Sequence, residues 1–354
     1  MTGGRVAVLG AGSIGFANAA LLAQRGFTPV LWSPSGARTA ALSAGAPLQA
    51  TGAVEGVFSV PTAGTCAEAI DSATAIVVAV PGFGHRAVFD AAIPHLRPSQ
   101  TVVISSHCSL GALYLARHGV GAPIAALGTT VATARQTSHT SVHINNVRRA
   151  VDVAALPASR TAEAAATCTM LFDDRFVARD DVLAITLSNI NPEGHMGMAL
   201  CNFTRIERGE TWRNYWGMTP YVGRLIEGLD AERLGLADRF GVAVRTIREH
   251  FHLSYGIPHG TMGEMAAALD ATGNTPNGPA SVDTRYVHED VPFGLVVTEA
   301  IGRIAGCPTP LHTSGIEIFS GLYGRDFRAD NDLLPALGLD GLDASSLHER
   351  CRSG

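Results

Sequence analysis

The chain of 354 residues contains no lysine, and all 26 of its basic side chains are arginine. This absence excludes a mechanism in which a protein lysine forms a Schiff base with the substrate. Acidic side chains outnumber basic ones and give a net charge of -5 at pH 7, so no general basic surface favours nucleic acid. We therefore expect small-molecule partners and no nucleic-acid partner.

Metal-binding patterns and long apolar runs are also missing. The six cysteines form no CxxC pair and match no zinc or disulfide framework, which predicts a reduced, cytoplasmic protein. His139 and His143 have no acidic or cysteine neighbour in the sequence, so we predict no metal site. No uncharged apolar run approaches the roughly 20 residues that cross a bilayer. The first apolar run begins at Arg5, which leaves no room for a signal peptide, and we expect no membrane partner.

The first half of the chain alternates strand-like and helix-like segments. The length favours two domains, and the hydrophobic content of 46% suits a compact enzyme. Apolar, strand-like runs lie at 5–10, 28–33, 74–81, 101–106, 123–130, 142–147 and 149–156. Strands that alternate with helices predict an α/β Rossmann domain with a doubly wound parallel sheet over residues 1–182.

The pattern changes near residue 182, because strand signals become rare and helical periodicity takes over. Long helical patterns cover 181–207, 219–241, 242–255 and 293–306. These patterns predict that residues 183–354 form a mostly α-helical substrate domain. Its apolar helices are also compatible with a homodimer.

A glycine-rich motif lies between the first strand and the first helix. Gly10, Gly12 and Gly15 form G-A-G-S-I-G, with Ser13 and Ile14 inside the motif. The first glycine permits the tight turn, the second lets the backbone approach a pyrophosphate, and the third lets helix and strand pack closely. The helix N-terminus then faces the phosphates. The motif predicts binding of a nicotinamide dinucleotide.

The end of the second strand bears on the choice between NAD and NADP. NAD-binding domains carry an acidic residue there, but no acid follows this strand until Glu55. Ser33 and Arg38 occupy the region instead, and a hydroxyl with a guanidinium suits a 2′-phosphate. We predict NADP, with NAD as the alternative. In the alternative, Arg38 has no role in cofactor binding and simply starts a solvated helix face.

The strand at 74–81 ends in Val80 and Pro81, followed by His85 in the next helix. Ligands of doubly wound sheets bind beyond the carboxyl ends of strands, so Val80 and Pro81 are expected to flank the nicotinamide ribose. For His85, the sequence leaves a binding role and an exposed position at the helix start equally open.

Hydride transfer to a carbonyl or imine needs a proton donor, and a histidine tuned by a carboxylate is a common one. Among 13 histidines, His195 stands out near the start of the helical domain, with Asn191 four residues before it on the same helix face. Asp290 lies beside Glu289 and five residues after Arg285. The residues alone leave the pairing of His195 with Asp290 open.

Two segments resemble the octopine/nopaline (opine) dehydrogenase family. The family's N-P-x-x-H segment is found at 191–195, followed by an L-x-N-x-x-R-I-E stretch at 200–207. Its R-Y-x-x-E-D-V-P-x-G-L segment is found at 285–295. The resemblance spans almost the whole chain and implies a Rossmann domain followed by a helical domain.

The resemblance also implies the activity and the roles of the site residues. The family condenses an amine with a 2-oxo acid and reduces the imine with NAD(P)H. His195 would exchange the proton and Asp290 would orient it, while Asn191 would position the nicotinamide or the substrate. Arg285 would hold the carboxylate of the oxo acid. Tyr215, in an aromatic group with Trp212 and Trp216, could stack on the amine or simply belong to the core or a dimer contact.

Two departures from the family pattern put the inherited substrate in question. Met196 replaces a proline that often follows the histidine, and residues 330–333 replace a Gly-Arg-Thr-Leu type segment. Two other functions therefore stay open. One is an NADPH-dependent reductase of a single ketone or cyclic imine, and the other is a protein that senses NAD(P) without turnover.

Overall fold

The computed structural model describes residues 3–273 and 275–354. Within this part, the chain forms two compact units: one holds 3–186, 336–338 and 348–354, and the other holds 187–335 and 339–347. The sequence-based division assigned 336–338 and 348–354 to the second domain, whereas these segments pack with the first unit. One reason is that Nε2 of His348 lies 2.7 Å from Oδ2 of the buried Asp181.

The strands all belong to the first unit. In chain order they are β1 (Arg5–Leu9), β2 (Thr28–Trp32), β3 (Leu48–Gly52), β4 (Gly56–Phe58), β5 (Ala75–Val78), β6 (Thr101–Ile104), β7 (Ile124–Leu127), β8 (Ala132–Ser138), β9 (Ser141–Val147), β10 (Val151–Leu156) and β11 (Phe176–Ala178).

The main sheet has seven strands in the order β11-β10-β7-β6-β5-β1-β2. The five strands from β7 to β2 in this order are parallel, and β1 is wholly buried from Val6 to Leu9 between β2 and β5. A strand covered on both faces must be apolar throughout, which explains the continuous run in the sequence. The Rossmann prediction is confirmed, although β10 pairs antiparallel with β7.

A second sheet of four strands, in the order β4-β3-β9-β8, accompanies the main sheet. Only part of it is apolar, with Val142 and Ile144 of β9 buried and His143 exposed between them. The run at 142–147 therefore lies in this additional sheet and not in the main one. Its strand β8 packs beside the first helix, as the bond from the Gln136 amide to Ser13 illustrates.

The helices of the first unit connect the strands and cover the sheet. They are α1 (Ser13–Gln24), α2 (Ala40–Ser43), α3 (Cys66–Ile70), α4 (Gly82–Ala92), α5 (Gly111–Arg117) and α6 (Thr161–Phe172). Helix α1 buries nearly all of its central residues, including Phe16 and Leu22, in the main core. Each fully buried side chain of this size contributes roughly 1.5–3 kcal/mol to stability. This packing fixes where α1 begins.

The remaining helices follow the sheet along the chain. Most of them build the helical unit that the sequence predicts, while the helical residues 182–186 and 348–353 belong to the first unit. They are α7 (Val182–Leu187), α8 (Asn191–Cys201), α9 (Phe203–Glu207), α10 (Pro220–Phe240), α11 (Ile247–Tyr255), α12 (Met262–Asp270), α13 (Arg285–His288), α14 (Val296–Ala305), α15 (Pro310–Tyr323) and α16 (Ala344–Ser353). The helical pattern at 181–207 is three helices rather than one. Pro192, in the first turn of α8, marks one of the new starts.

Candidate active site

The glycine motif forms the turn between β1 and α1. Gly10 has φ +126°, and a Cβ atom added to it would lie 2.3 Å from the carbonyl oxygen of Ala79. A Cβ on Gly15 would lie 1.9 Å from the carbonyl oxygen of Gly10. Neither position can hold a larger residue without moving the backbone. Close backbone contacts therefore require glycine at both positions, in the turn where the motif predicts it.

Gly12 differs from its two neighbours, because its side is open. Among the described residues, the only atom near an added Cβ would be Nη1 of Arg38, at 3.9 Å. No side chain caps α1, and its first turn, which starts with Ser13 and Ile14, holds no acidic residue. No side chain of the described residues thus caps the first N–H groups of this 12-residue helix, which suits the binding of a pyrophosphate.

After the end of β2, the two residues proposed to bind the 2′-phosphate, Ser33 and Arg38, lie in different environments. The Arg38 side chain is exposed, and its Nη1 lies 3.5 Å from Oε1 of Gln136 on β8. Ser33 is only 5% exposed, and its hydroxyl has no hydrogen-bond partner among the described residues. Arg38 can reach a bound ligand, whereas the hydroxyl of Ser33 is covered in this structure.

The carboxyl end of β5 lies against the glycine turn. Val80 is half-buried, and its Cγ1 would be 2.8 Å from a Cβ on Gly10, while Pro81 is exposed just before α4. His85 is not at an exposed helix start, because its side chain is wholly buried. Its Nδ1 lies 3.2 Å from Sγ of Cys108. Burial lowers the pKa of His85 to about 4, so the imidazole is neutral near pH 7.

In the second unit, His195 and Asp290 lie in direct contact. Nδ1 of His195 is 2.7 Å from Oδ2 of Asp290, and the carboxylate side chain is only 7% exposed. The imidazole is 22% exposed, and within the described part of the chain its Nε2 makes no hydrogen bond. With Nδ1–H donated to the carboxylate, Nε2 is the nitrogen that can exchange a proton with a ligand.

Tyr286 completes this pair, and the sequence analysis missed it. Its ring stacks on the His195 imidazole with centroids 3.7 Å apart and planes 9° from parallel. Tyr286 and Asp290 are four residues apart, so they share one face and hold His195 from two directions. Burial and the charge of Asp290 raise the pKa of Tyr286 to about 12, which keeps its hydroxyl protonated. The spacing of four residues could have revealed this role.

The segment after Asp290 is an unusual helix. Val291–Leu295 forms a π-helical turn, a feature frequent at functional sites. It lies close to α8, since a Cβ on Gly294 would be 2.3 Å from Cγ of Pro192. The buried Asn331 donates from Nδ2 to the carbonyl oxygen of Pro292 at 2.7 Å. Residues 330–333, where the chain departs from the family pattern, thus support the segment that carries Asp290.

Three other predicted residues lie in different settings. Asn191 is exposed at the start of α8, one turn before His195. The Arg285 side chain is 64% exposed, and its Nε lies 3.2 Å from Oε2 of Glu289. The hydroxyl of Tyr215 lies 2.9 Å from that of Tyr255, and burial raises its pKa well above the usual range.

The aromatic group around Tyr215 does not act as one cluster. Trp212 is buried and donates from Nε1 to the carbonyl oxygen of Pro279, as a core residue would. Trp216 is 51% exposed, with the Arg205 guanidinium 5.0 Å from its ring centre. The hydroxyl of Tyr215 pairs with that of Tyr255, so the three aromatic residues have three different environments.

A second histidine of the helical unit also contacts carboxylates, and the sequence did not predict it. His312 is fully buried, with Nδ1 2.7 Å from Oε2 of Glu232 and Nε2 3.4 Å from Oε1 of Glu193. Glu193 is itself fully buried and lies two residues before His195 on α8. The three residues come from α8, α10 and α15, so no local sequence pattern signals their contact.

The described residues contain no group of three or more His, Cys, Asp and Glu side chains that could hold a metal ion. His143 instead lies with Nδ1 3.0 Å from the hydroxyl of Thr51. No helix in the same part of the chain is long and apolar enough to span a membrane.

Comparison with known proteins extends these observations. Residues 178–323 match the family model described as NAD/NADP octopine/nopaline dehydrogenase, alpha-helical domain. Residues 6–158 match the ketopantoate reductase PanE/ApbA model. The chain is 31% identical to an opine dehydrogenase of Arthrobacter sp. (strain 1C) over 349 residues, which cover 96% of this chain and 97% of the relative.

Solved structures share the fold. An octopine dehydrogenase with NADH and L-arginine has a TM-score of 0.82 at 16% identity and covers 97% of each chain. A yersinopine dehydrogenase has a TM-score of 0.74 at 17% identity and covers 99% of each chain.

The Rossmann unit, the helical unit and the whole-chain relative together define an NAD(P)-dependent oxidoreductase that acts on CH–NH bonds. Within this class, the chain belongs to the opine dehydrogenase family.

Proposed function

We propose that the enzyme joins the amine of an amino acid, or another amine, to a 2-oxo acid and reduces the resulting imine. Condensation releases water, and the imine carbon then takes a hydride while its nitrogen keeps or gains a proton to give a secondary amine. Bound NAD(P)H supplies the hydride. Residues 1–182 would bind the cofactor and residues 183–354 the substrates. The contact of 2.7 Å between His195 and Asp290 carries the proposal.

His195 would exchange protons with the substituent on the reacting carbon. Its Nδ1–H is held by Asp290, which fixes the tautomer and compensates the positive charge that develops when Nε2 takes a proton. Tyr286 restrains the ring by stacking, so Nε2 keeps one direction. A general acid–base in this state can give a proton to the departing hydroxyl during imine formation and recover it afterwards.

Arg285 and two neighbours would bind the substrates. Arg285 uses Nε for Glu289, and its exposed guanidinium can still offer two N–H groups to a carboxylate. Asn191 lies on the face of α8 that carries His195, which suits a group that positions the nicotinamide or the substrate. Tyr215 would offer its ring and a protonated hydroxyl to the amine partner.

We also propose that NADPH is the preferred cofactor. No acidic residue follows β2 to accept a ribose 2′-hydroxyl, and the exposed Arg38 lies over the open side of Gly12. A guanidinium there would bind a 2′-phosphate, and its positive charge is also compatible with the anionic pyrophosphate. Ser33 would contribute only if its covered hydroxyl became accessible to the ribose.

One assay tests the reaction. Oxidation of NADPH and of NADH is measured with pyruvate or 2-oxoglutarate, in the presence and absence of a panel of amino acids. A rate that depends on both partners supports reductive condensation. The same rate without any amine would overturn it in favour of a reductase of a single ketone, an activity that the ketopantoate reductase match of the first unit makes worth testing.

A further inference from the structure

Gln136 links the two parts of the proposed NADPH site. Its backbone N–H donates to the hydroxyl of Ser13, the first residue of α1, at 2.9 Å. Its side-chain Oε1 accepts from Nη1 of Arg38 at 3.5 Å. One residue of β8 thus contacts both the helix that faces the pyrophosphate and the arginine expected at the 2′-phosphate.

The backbone around Gln136 explains how a strand of the second sheet reaches this position. The pairing of β8 with β9 changes register between Gln136 and Ser138. An irregularity of this kind bends the strand and changes the direction of a side chain. The bond to Ser13 then fixes the strand to the start of α1, so the placement of the Gln136 backbone does not depend on its half-buried side chain.

The chemistry of the Gln136 side chain suits a site for a phosphate. A neutral amide oxygen holds a guanidinium without cancelling its positive charge, whereas a carboxylate would form an ion pair and repel a phosphate. Arg38 is otherwise exposed, and Nη1 is 3.9 Å from where a Cβ on Gly12 would lie. The arginine is therefore held beside the space left for the cofactor while its full charge is retained.

We propose that Gln136 is a positioning residue that selects NADPH over NADH by holding Arg38 at the 2′-phosphate. The inference rests on the proposed NADPH preference and deepens it. It assigns the second sheet a part in cofactor choice, since β8 belongs to that sheet and not to the Rossmann sheet.

The test measures dissociation constants of NADPH and NADH by cofactor fluorescence, without turnover. The decisive quantity is the ratio of the NADH constant to the NADPH constant, because general damage to the turn changes both constants together. Gln136→Met should lower this ratio about two- to fivefold, as expected for an exposed charged contact. Gln136→Glu should lower it about tenfold or more, since like charges close together are costly. Thr137→Val, on the same strand, should leave the ratio unchanged.

Arg38→Met separates this inference from the cofactor proposal. If Gln136 acts through Arg38, Gln136→Met should have little further effect on the ratio in the Arg38→Met background. A wild-type protein without NADPH preference, or an Arg38→Met protein that keeps the preference, would overturn the cofactor proposal and the inference with it. A preference that depends on Arg38 but survives both Gln136 variants would overturn only the inference. So would an equal weakening of both cofactors, or an undiminished Gln136→Met effect in the Arg38→Met background.

Discussion

The buried histidines of the two units have similar exposure and opposite surroundings. In the first unit, His85 and His107 are 0% and 2% exposed, and their hydrogen-bond partners include a thiol, a hydroxyl and a backbone N–H. In the helical unit, His312 is also 0% exposed but contacts two carboxylates, Glu193 and Glu232. Burial is thus the same in both units, while the charge of the partners differs.

This difference decides the protonation state. Burial lowers the pKa of His85 to about 4 and that of His107 to about 3, with His85 adding to the effect on His107. Burial would lower the pKa of His312 too, but the hydrogen bonds and charges of Glu193 and Glu232 outweigh it and raise that pKa above 6.5. Burial without a carboxylate partner keeps the rings of His85 and His107 neutral, whereas Glu193 and Glu232 favour the charged ring of His312. Two partly exposed histidines also lie beside carboxylates, His195 in the helical unit and His348 in the first unit.

The largest effect is expected at the carboxylate-paired histidine that a ligand can reach. His195→Ala should lower turnover about 10²–10⁴-fold, the range for loss of a general acid–base, with little change in cofactor binding. Steady-state kinetics with saturating NADPH and both substrates would measure this. His139→Ala, an exposed histidine of the turn between β8 and β9, serves as the control and should behave like wild type. Wild-type turnover in His195→Ala would remove the proposed role.

Acid should destabilise the first unit through its neutral histidines. Their folded pKa values lie below the unfolded value of 6.5, so the unfolded chain takes up protons first as the pH falls. Their contribution is complete above pH 6.5 and is lost as the pH falls toward the folded values. Between about pH 7.5 and about pH 5, each histidine should account for about 2 kcal/mol.

Hydrogen exchange of α4 and α5 in increasing urea would measure this loss after correction for the intrinsic pH dependence of exchange. His85→Gln removes one titrating ring. In this variant, the free energy of opening of α4 and α5 should therefore fall less than in the wild type between the same two pH values. An unchanged slope in the variant would mean that His85 is not held neutral in the folded unit.

The helical unit should show the opposite sign. The folded pKa of His312 is raised, so its contribution is complete below pH 6.5 and is lost as the pH rises through the folded value. Glu193→Gln replaces a charged hydrogen-bond partner by a neutral one and should cost about 1–3 kcal/mol near pH 6. Exchange of α8 and α15 would measure both effects. If these helices instead lost protection when the pH is lowered to 6, the prediction that His312 is charged in the folded unit would be wrong.

What could be predicted from the sequence depends on the distance along the chain. The turn from β1 to α1 is specified mostly within a few residues, because Gly15 is needed by its contact with Gly10 and Gly10 by its own φ of +126°. The end of α10 is equally local, since Gly241 has φ +66° and stops the helix. The contact of His195 with Asp290 spans 95 residues, and the family resemblance, not the pattern, indicated it.

Other features depend on pairings that no local pattern encodes. The second sheet joins β3 to β9 across more than 90 residues, and the exposed residues of β8 carry little strand signal. Helices α12 and α15 were not among the predicted ones, although both bury apolar residues. The buried ring of His85 was likewise unpredictable, because the contact with Cys108 requires two strands to be placed first. Tertiary packing decided each of these cases.

The smallest effect concerns the support of the segment that carries Asp290, and it tests whether carboxylate pairing needs a rigid backbone. Asn331 donates to the carbonyl oxygen of Pro292 inside the π-helical turn, and its Oδ1 accepts from the N–H groups of Leu333 and Leu334. Asn331→Ser shortens the side chain so that it no longer reaches the carbonyl oxygen of Pro292, while its hydroxyl can still accept from the two N–H groups. The loss of one hydrogen bond costs about 1 kcal/mol.

If that cost appears as misplacement of Asp290, kcat should fall about fivefold while the dissociation constant of NADPH stays unchanged. Asp326→Ser is the matched control, because the Asp326 carboxylate accepts from the nearby N–H of Arg328 in an exposed turn, and it should leave kcat unaltered. A loss of thermal stability with normal kcat would mean that Asn331 only stabilises the fold. The carboxylate would then hold His195 without help from the π-helical turn.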